Sequence, residues 1–205
     1  MTESLRWWVD TVRDVLKQPR AFFEELDDGS SFKTSSVFLL LTQALVAVGY
    51  ASPATLGAGS LSQMGGFAAA AGGLVVGVLL FLVFMIVYGV ASTLVMAGAF
   101  NVVYYYLGGD GGLAGTYQAF SYAQAIAVPS VIILALTVPF SAAGGGAVSA
   151  FLMVVLLAVG LYGLYIQLVG ISELHDLTML EAAVPYLVLI GLALLLAVMA
   201  VGALP

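Results

Sequence analysis

The chain has 205 residues, 62% of them hydrophobic and only 8% charged, with a formal net charge of −6 and a mean hydropathy of +1.14. A soluble globular domain is about 25% charged, and several apolar runs here reach the ~20 residues that cross a bilayer. The composition therefore excludes a soluble domain and implies an all-α, polytopic membrane protein. The absence of cysteine removes disulfides, thiolate metal sites and cysteine nucleophiles, and a single histidine argues against a histidine-based zinc centre. No cofactor and no metal are expected.

Charge is unevenly placed. Residues 1–33 hold all five Lys and Arg beside seven acids, whereas residues 34–205 hold only Asp110, Glu173, Asp176 and Glu181. Such a chain offers no basic surface to nucleic acid. Its acidic balance suits an acidic, high-salt proteome.

The opening, MTESLRWWVDTVRDV, lacks the early apolar core of a signal peptide, so the first span is expected to act as its own insertion signal. Leu5, Trp8, Val9, Val12 and Leu16 recur at helical spacing, with Arg6, Asp10, Arg13, Asp14 and Lys17 on the other face. Residues 1–33 thus read as a cytoplasmic amphipathic helical segment. Residues 1–26 are expected to lie along the cytoplasmic membrane surface, where Trp7 and Trp8 sit half wet; packing on the protein's own loops is the alternative. Pro19 starts a second short helix, PRAFFEEL, which ends in the polar turn DDGSS.

Residues 34–205 form the membrane domain, a five-helix bundle with spans at about 35–51, 73–106, 117–140, 147–171 and 180–203. Phe67 to Leu107 is almost unbroken apolar sequence. A turn near Tyr88 to Thr93 would make two spans of it, but that region has no Pro, Asn or Asp, and a turn at membrane depth leaves backbone groups unsatisfied in lipid. One long helix with Tyr104, Tyr105 and Tyr106 at the interface is the better reading. Pro129 falls within span three. Before span five, Thr178 and Glu181 have capping-box spacing, which gives Glu181 a structural role.

All basic residues precede span one, so the positive-inside rule places the N-terminus in the cytoplasm. Five spans then put Asp110 and the loop SELHDLTM inside, and the C-terminus outside. Every ionisable group falls on one side, which six spans would not achieve.

Asp110 stands between two glycine pairs, in YYYLGGDGGLAG, where a tight turn is expected, with Gly109 at positive φ. One carboxylate without a following lysine makes neither a cation site nor a P-loop. Glu173, His175 and Asp176 cluster in the second cytoplasmic loop, where they read as a solvated turn or, alternatively, as a cation or proton site. Tyr117, Ser121 and Gln124, flanked by Gln118 and Tyr122, form a polar stripe that should face the bundle as packing glue. Gly73 and Gly77 make a G-x-x-x-G. No ionisable side chain lies at mid-membrane depth, which argues against a proton-driven carrier.

The segment YYYLGGDGGLAGTYQAFSYAQAIAVP resembles the central signature of the Yip family, the Ypt/Rab-GTPase-interacting membrane proteins and their prokaryotic relatives. In that family a long second helix ends in a Gly-Gly turn, here Gly108 and Gly109. The next helix carries an aromatic-Tyr motif with a proline seven residues on, here Tyr122 and Pro129. YIQLVGISELHDLTMLEAA is similar to the junction before the last helix, with His175 at the family histidine. The resemblance spans roughly residues 15–203 and implies five spans, a cytoplasmic N-terminus, no enzymatic activity, and membrane or cytoplasmic partners. An Asp-Leu-Tyr-Gly-Pro-like motif of the eukaryotic members is absent from LDDGSSFKTSS, so small-GTPase binding does not carry over. The expected function is a non-enzymatic membrane protein that assembles in homo- or hetero-oligomers within the bilayer. An oligomeric channel or small-solute permease is the alternative, and a membrane enzyme using Asp110, Glu173 and His175 stands last.

Overall fold

A computed structural model describes residues 3–26, 32–51, 74–142 and 146–202. These are helical almost throughout: α1 (Glu3–Lys17), α2 (Pro19–Glu24), α3 (Phe32–Ala51), α4 (Leu74–Tyr106), α5 (Gly112–Ala123), α6 (Ala127–Ala142), α7 (Gly146–His175) and α8 (Met179–Gly202). A 3₁₀ turn, Gln124–Ile126, joins α5 to α6. Among the described residues, five segments are long and apolar enough to cross a membrane: α3, α4, α5 with α6, α7 and α8. The chain is a five-span, all-α membrane protein.

Residues 74–106 form one unbroken helix of 33 residues, as the lack of turn formers there requires. Span three begins at Gly112, five residues before its expected start at Tyr117. The break within it has a local cause. Pro129 has no N–H to donate to the carbonyl of Ala125, and its ring crowds that carbonyl. The backbone tightens into 3₁₀ geometry just upstream. The turn DDGSS, the first outer loop, Gly73 of the G-x-x-x-G and the extreme C-terminus lie outside the described residues.

The core is concentrated toward the end that carries the α4–α5 and α7–α8 connections, called here the turn end. From Gly115 to Ala123, α5 is buried on every side by α3, α4 and α7. Such all-round burial suits a central helix. One cluster joins Leu39, Phe100, Tyr104, Phe120 and Ile171; a second joins Val15, Phe23, Phe38, Tyr122 and Ile166. Away from the turn end, Leu79 to Val87 on α4, Phe151 to Leu161 on α7 and Leu187 to Met199 on α8 expose their large apolar side chains. Water would not tolerate so large an apolar surface, and lipid does.

The polar stripe faces inward as expected. Tyr117, Gln118, Ser121 and Tyr122 are buried. The Tyr117 ring stacks on Phe32 with centroids 4.2 Å apart, and its hydroxyl hydrogen-bonds with Ser36 at 3.0 Å.

The α1 helix packs on the protein's own helices, and not on its loops. Thr11, Val12 and Val15 are buried, and Trp8 Nε1 donates to Thr42 Oγ1 at 3.0 Å. The α1–α2 pair is pinned by aromatic contacts centred on Tyr122, whose ring meets those of Phe22 and Phe38, each at 5.0 Å, and that of Phe23 at 6.5 Å. Gly170 on α7 makes the close approach of Phe23 possible, since a Cβ there would come within 2.7 Å of the Phe23 ring. Gly170→Val should therefore release α2 while leaving the spans helical, at about 1–3 kcal/mol for the overpacked site. Both tryptophans of the chain lie in α1, so a red-shifted emission with unchanged far-ultraviolet circular dichroism is the expected readout. An unshifted spectrum would mean that Phe23 does not hold the pair.

Candidate functional site: the paired turns

The four aromatic and glycine residues that close α4 are arranged by backbone hydrogen bonding. Gly109 N donates to Tyr104 O at 2.9 Å and Gly108 N to Tyr105 O at 3.2 Å. This crossed pair is a Schellman motif, in which the first of the two donor residues takes the left-handed conformation. Gly108 fills that position with φ +91°. The positive φ expected at Gly109 thus belongs to Gly108, with a second at Gly112, φ +59°. Gly109 is constrained differently: a Cβ there would stand 2.9 Å from His175 Nδ1 and 3.2 Å from a Leu177 methyl.

The end of α7 repeats the device without glycine. Leu177 N donates to Ser172 O at 3.1 Å, with Asp176 in the left-handed region at φ +52°. Aspartate tolerates this conformation better than most residues. Leu177, the residue after it, is buried as the apolar partner that such motifs carry. The segment expected as a solvated loop is therefore helix through His175, and His175 is buried, 1% exposed. Apolar closure of the turn, rather than hydration, decides its position.

The two turns pack directly on each other. Gly111 lies against the Leu174 carbonyl so closely that any side chain at 111 would overlap it. Asp110 N donates to His175 O at 3.4 Å, which ties the turns through the backbone. Inside, His175 Nε2 hydrogen-bonds with Thr116 Oγ1 at 2.8 Å, and Thr116 donates to Asn101 Oδ1 at 3.2 Å. The His175 and Tyr104 rings lie 5.4 Å apart, and the Tyr104 hydroxyl donates to Ala182 O at 3.1 Å. His175 Nδ1 has no partner among the described residues.

Of the residues singled out from sequence, Gly108, Gly109, Asp110, His175 and Asp176 come together here. Asp110 and Asp176 are exposed at the surface of the paired turns. Glu173 points to the flank, where it accepts from Arg20 Nε at 2.7 Å. That carboxylate raises the Arg20 pKa, by hydrogen bonding and by its charge. Tyr122 and Pro129 lie deeper, at the aromatic cluster and the helix break, and take no part in the turns. Asn101 and Thr116 were missed by sequence reasoning. An isolated Asn and Thr in apolar runs carry no spacing signal, and only the fold brings them to the histidine.

Glu181 closes the next element. Its carboxylate accepts from Thr178 N at 2.8 Å and from Thr178 Oγ1 at 2.7 Å, while Glu181 N donates back to Thr178 Oγ1 at 3.3 Å. The capping box read from sequence is present. Among the described residues, no group of three His, Asp or Glu side chains is placed to hold a metal.

The glycines separate two kinds of constraint. Gly111→Ala forces backbone apart and should cost well over the ~1 kcal/mol expected of Gly108→Ala, which meets no neighbouring atom and pays only for its φ. Thermal melts of the detergent-solubilised protein should rank them in that order. Equal effects would show that the turns do not depend on the 111–174 approach. By the same logic Asp176→Gly should raise the melting temperature, because it removes both the left-handed cost and an acid from a helix C-terminus, about 0.5–1 kcal/mol together.

Residues 13–202 match the family model described as the Yip1 domain. No curated protein and no solved structure matches the chain. The match covers most of the chain, which therefore belongs to the Yip1 domain family.

Proposed function

We propose that this Yip1-domain membrane protein is not an enzyme but an assembly component, which presents its paired turns to membrane or cytoplasmic partners and works in a homo- or hetero-oligomer. The observation that supports this most is the closure of the site. His175, Thr116 and Tyr104 are buried, with His175 Nε2 bonded to Thr116 and the Tyr104 hydroxyl to Ala182 O, while the groups left accessible, Asp110 and Asp176, ride on a backbone surface tied by hydrogen bonds. A substrate needs a concave pocket with convergent polar groups, and a partner needs an exposed, preorganised surface. The turn end has the second character.

The channel reading has less support, because the polar stripe of α5 is buried against neighbouring helices and stops at the level of Gln124. The Lys/Arg asymmetry favours a cytoplasmic N-terminus, which puts the turn end in the cytoplasm and the C-terminus outside the cell membrane.

Asp110→Asn tests the role of the surface. Asparagine keeps the turn preference and the size, so melting temperature and monodispersity should stay at the wild-type value. The complex recovered with the tagged protein from gently solubilised membranes should lose a partner that wild type retains. If every partner remains, the carboxylate has no recognition role and the loop is only a turn.

A further inference from the structure

We propose that the paired turns are a proton-operated latch: they dock on each other while the His175 ring is neutral, and part when the ring takes up a second proton. The inference deepens the assembly reading by naming what regulates its surface. Docking sets how Asp110 and Asp176 are presented, and only that consequence rests on the reading.

The protons of the site can be placed atom by atom. Thr116 Oγ1 lies within hydrogen-bonding distance of three groups: Asn101 Oδ1 and the Gly112 carbonyl, each at 3.2 Å, and His175 Nε2 at 2.8 Å. A hydroxyl has one proton to give, and the two oxygens can only accept. Thr116 therefore donates to one of them and accepts from His175 Nε2–H. The neutral ring carries its proton on Nε2, and Nδ1 is left as a bare lone pair. That nitrogen is buried and has no partner among the described residues. Gly109 closes over it so tightly that a Cβ there would stand 2.9 Å away. A core tolerates an unfilled acceptor more readily than an orphaned N–H. A second proton turns the first into the second, and adds a full charge to a side chain that is 1% exposed.

The ionisable neighbours decide whether that cation can stay. On α4 there is Tyr104, whose ring lies 5.4 Å from the imidazole and whose proton goes to Ala182 O. The α4–α5 turn brings Asp110, and α5 brings only the neutral Thr116. On α7 itself Glu173 is already paired with Arg20 of α2, and Asp176 follows at the turn. From α8 come Glu181, held by Thr178, and Tyr186, which packs on Phe100. Asp110, Asp176 and the C-terminal dipole of α7 all favour a cation. Both carboxylates are exposed, however, and water screens them. The desolvation of a buried charge is not screened. In the docked state desolvation wins. Once the turns part, the ring is hydrated and the same two carboxylates stand beside it as counter-charges. The latch thus has two defined ends.

Few polar ties must break. The turns are joined by the bond from Asp110 N to His175 O, at 3.4 Å, and by the ring's bond to Thr116. Each Schellman turn is local to its own helix and survives the separation. The open state titrates near the ordinary histidine value, ~6.5, while the docked state holds the neutral ring. Docking is therefore at full strength above that pH and is lost as pH falls through it, by about tenfold between pH 7.5 and 5.5.

The chain has one histidine and no cysteine, so ring protonation and turn separation can each be read directly. Leu113→Cys and Leu180→Cys place spin labels at exposed positions just beyond the two turns, in the full chain purified through a histidine-free tag and held in zwitterionic nanodiscs. A short distance should dominate at pH 7.5, with a longer population that grows about tenfold relative to it by pH 5.5. Nitrogen spectra of the isotope-labelled histidine should show the Nε2–H form at pH 7.5, and the doubly protonated ring appearing together with the longer distance. His175→Gln keeps a donor for Thr116 and cannot titrate, so it should hold the short distance at both pH values. An unchanged distance in the wild type overturns the proposal, and so does a change that persists in His175→Gln. If that variant does not fold, the wild-type spectra decide. A ring that charges while the distance stays short, or a distance that lengthens while the ring stays neutral, ends the proposal. A retained transition in Asp110→Asn with every partner still bound would remove the recognition reading and leave the latch. A flat pH response, with a partner lost in Asp110→Asn, would remove the latch alone.

Discussion

The approach of Gly111 to the Leu174 carbonyl is the constraint on which the turn end depends. Two membrane helices leave that end, two enter it, and the four meet because one residue lacks a side chain. The contact sets the distance at which His175 fits beneath Gly109 and reaches Thr116. Without it the Schellman turns would still form, since each is local to its own helix. They would not pack together, and the buried imidazole would lose its place. Leu177 and Tyr104 close the apolar surroundings of the imidazole.

A second centre, Tyr122, links this arrangement to the N-terminal segment. Its ring serves α2 and α3 at once, and Phe38 passes the contact on to Trp7 and Trp8. Aromatic pairs at 5–6.5 Å contribute beyond their buried area, and here they couple a charged, soluble-looking segment to the membrane bundle. The family match begins at residue 13, so the end of α1 and all of α2 belong to the domain. The Arg20–Glu173 ion pair adds orientation more than stability, because Arg20 is mostly exposed and the charges are screened.

The large features were legible in the sequence because they rest on composition and period. The number of spans, the single long helix over 74–106, the inward polar stripe and the Thr178–Glu181 cap all follow from apolar length, turn chemistry or fixed spacing. What escaped depends on contacts between distant segments. The polarity of SELHDLTM suggested a hydrated loop, yet Ser172 to His175 continue the helix because Leu177 and His175 find an apolar seat against the other turn. Gly108 and Gly109 are adjacent and identical, so nothing local says that one is needed for its φ and the other for its neighbour. Asn101 and Thr116 gave no signal until the fold placed them in line with His175.

Some polar groups of this protein share one property that bears on what it does. Several hydroxyls near the turn end have partners within the chain: Thr42 serves Trp8 and the Phe38 carbonyl, Ser36 serves Tyr117, Thr116 serves His175, whereas Ser121 Oγ, Tyr186 Oη and His175 Nδ1 have none among the described residues. A group committed in this way is costly to redirect toward a ligand, because breaking the bond leaves a buried partner unsatisfied. The interior of the turn end supplies rigidity, and the charges that remain free to meet another molecule are those on its outside.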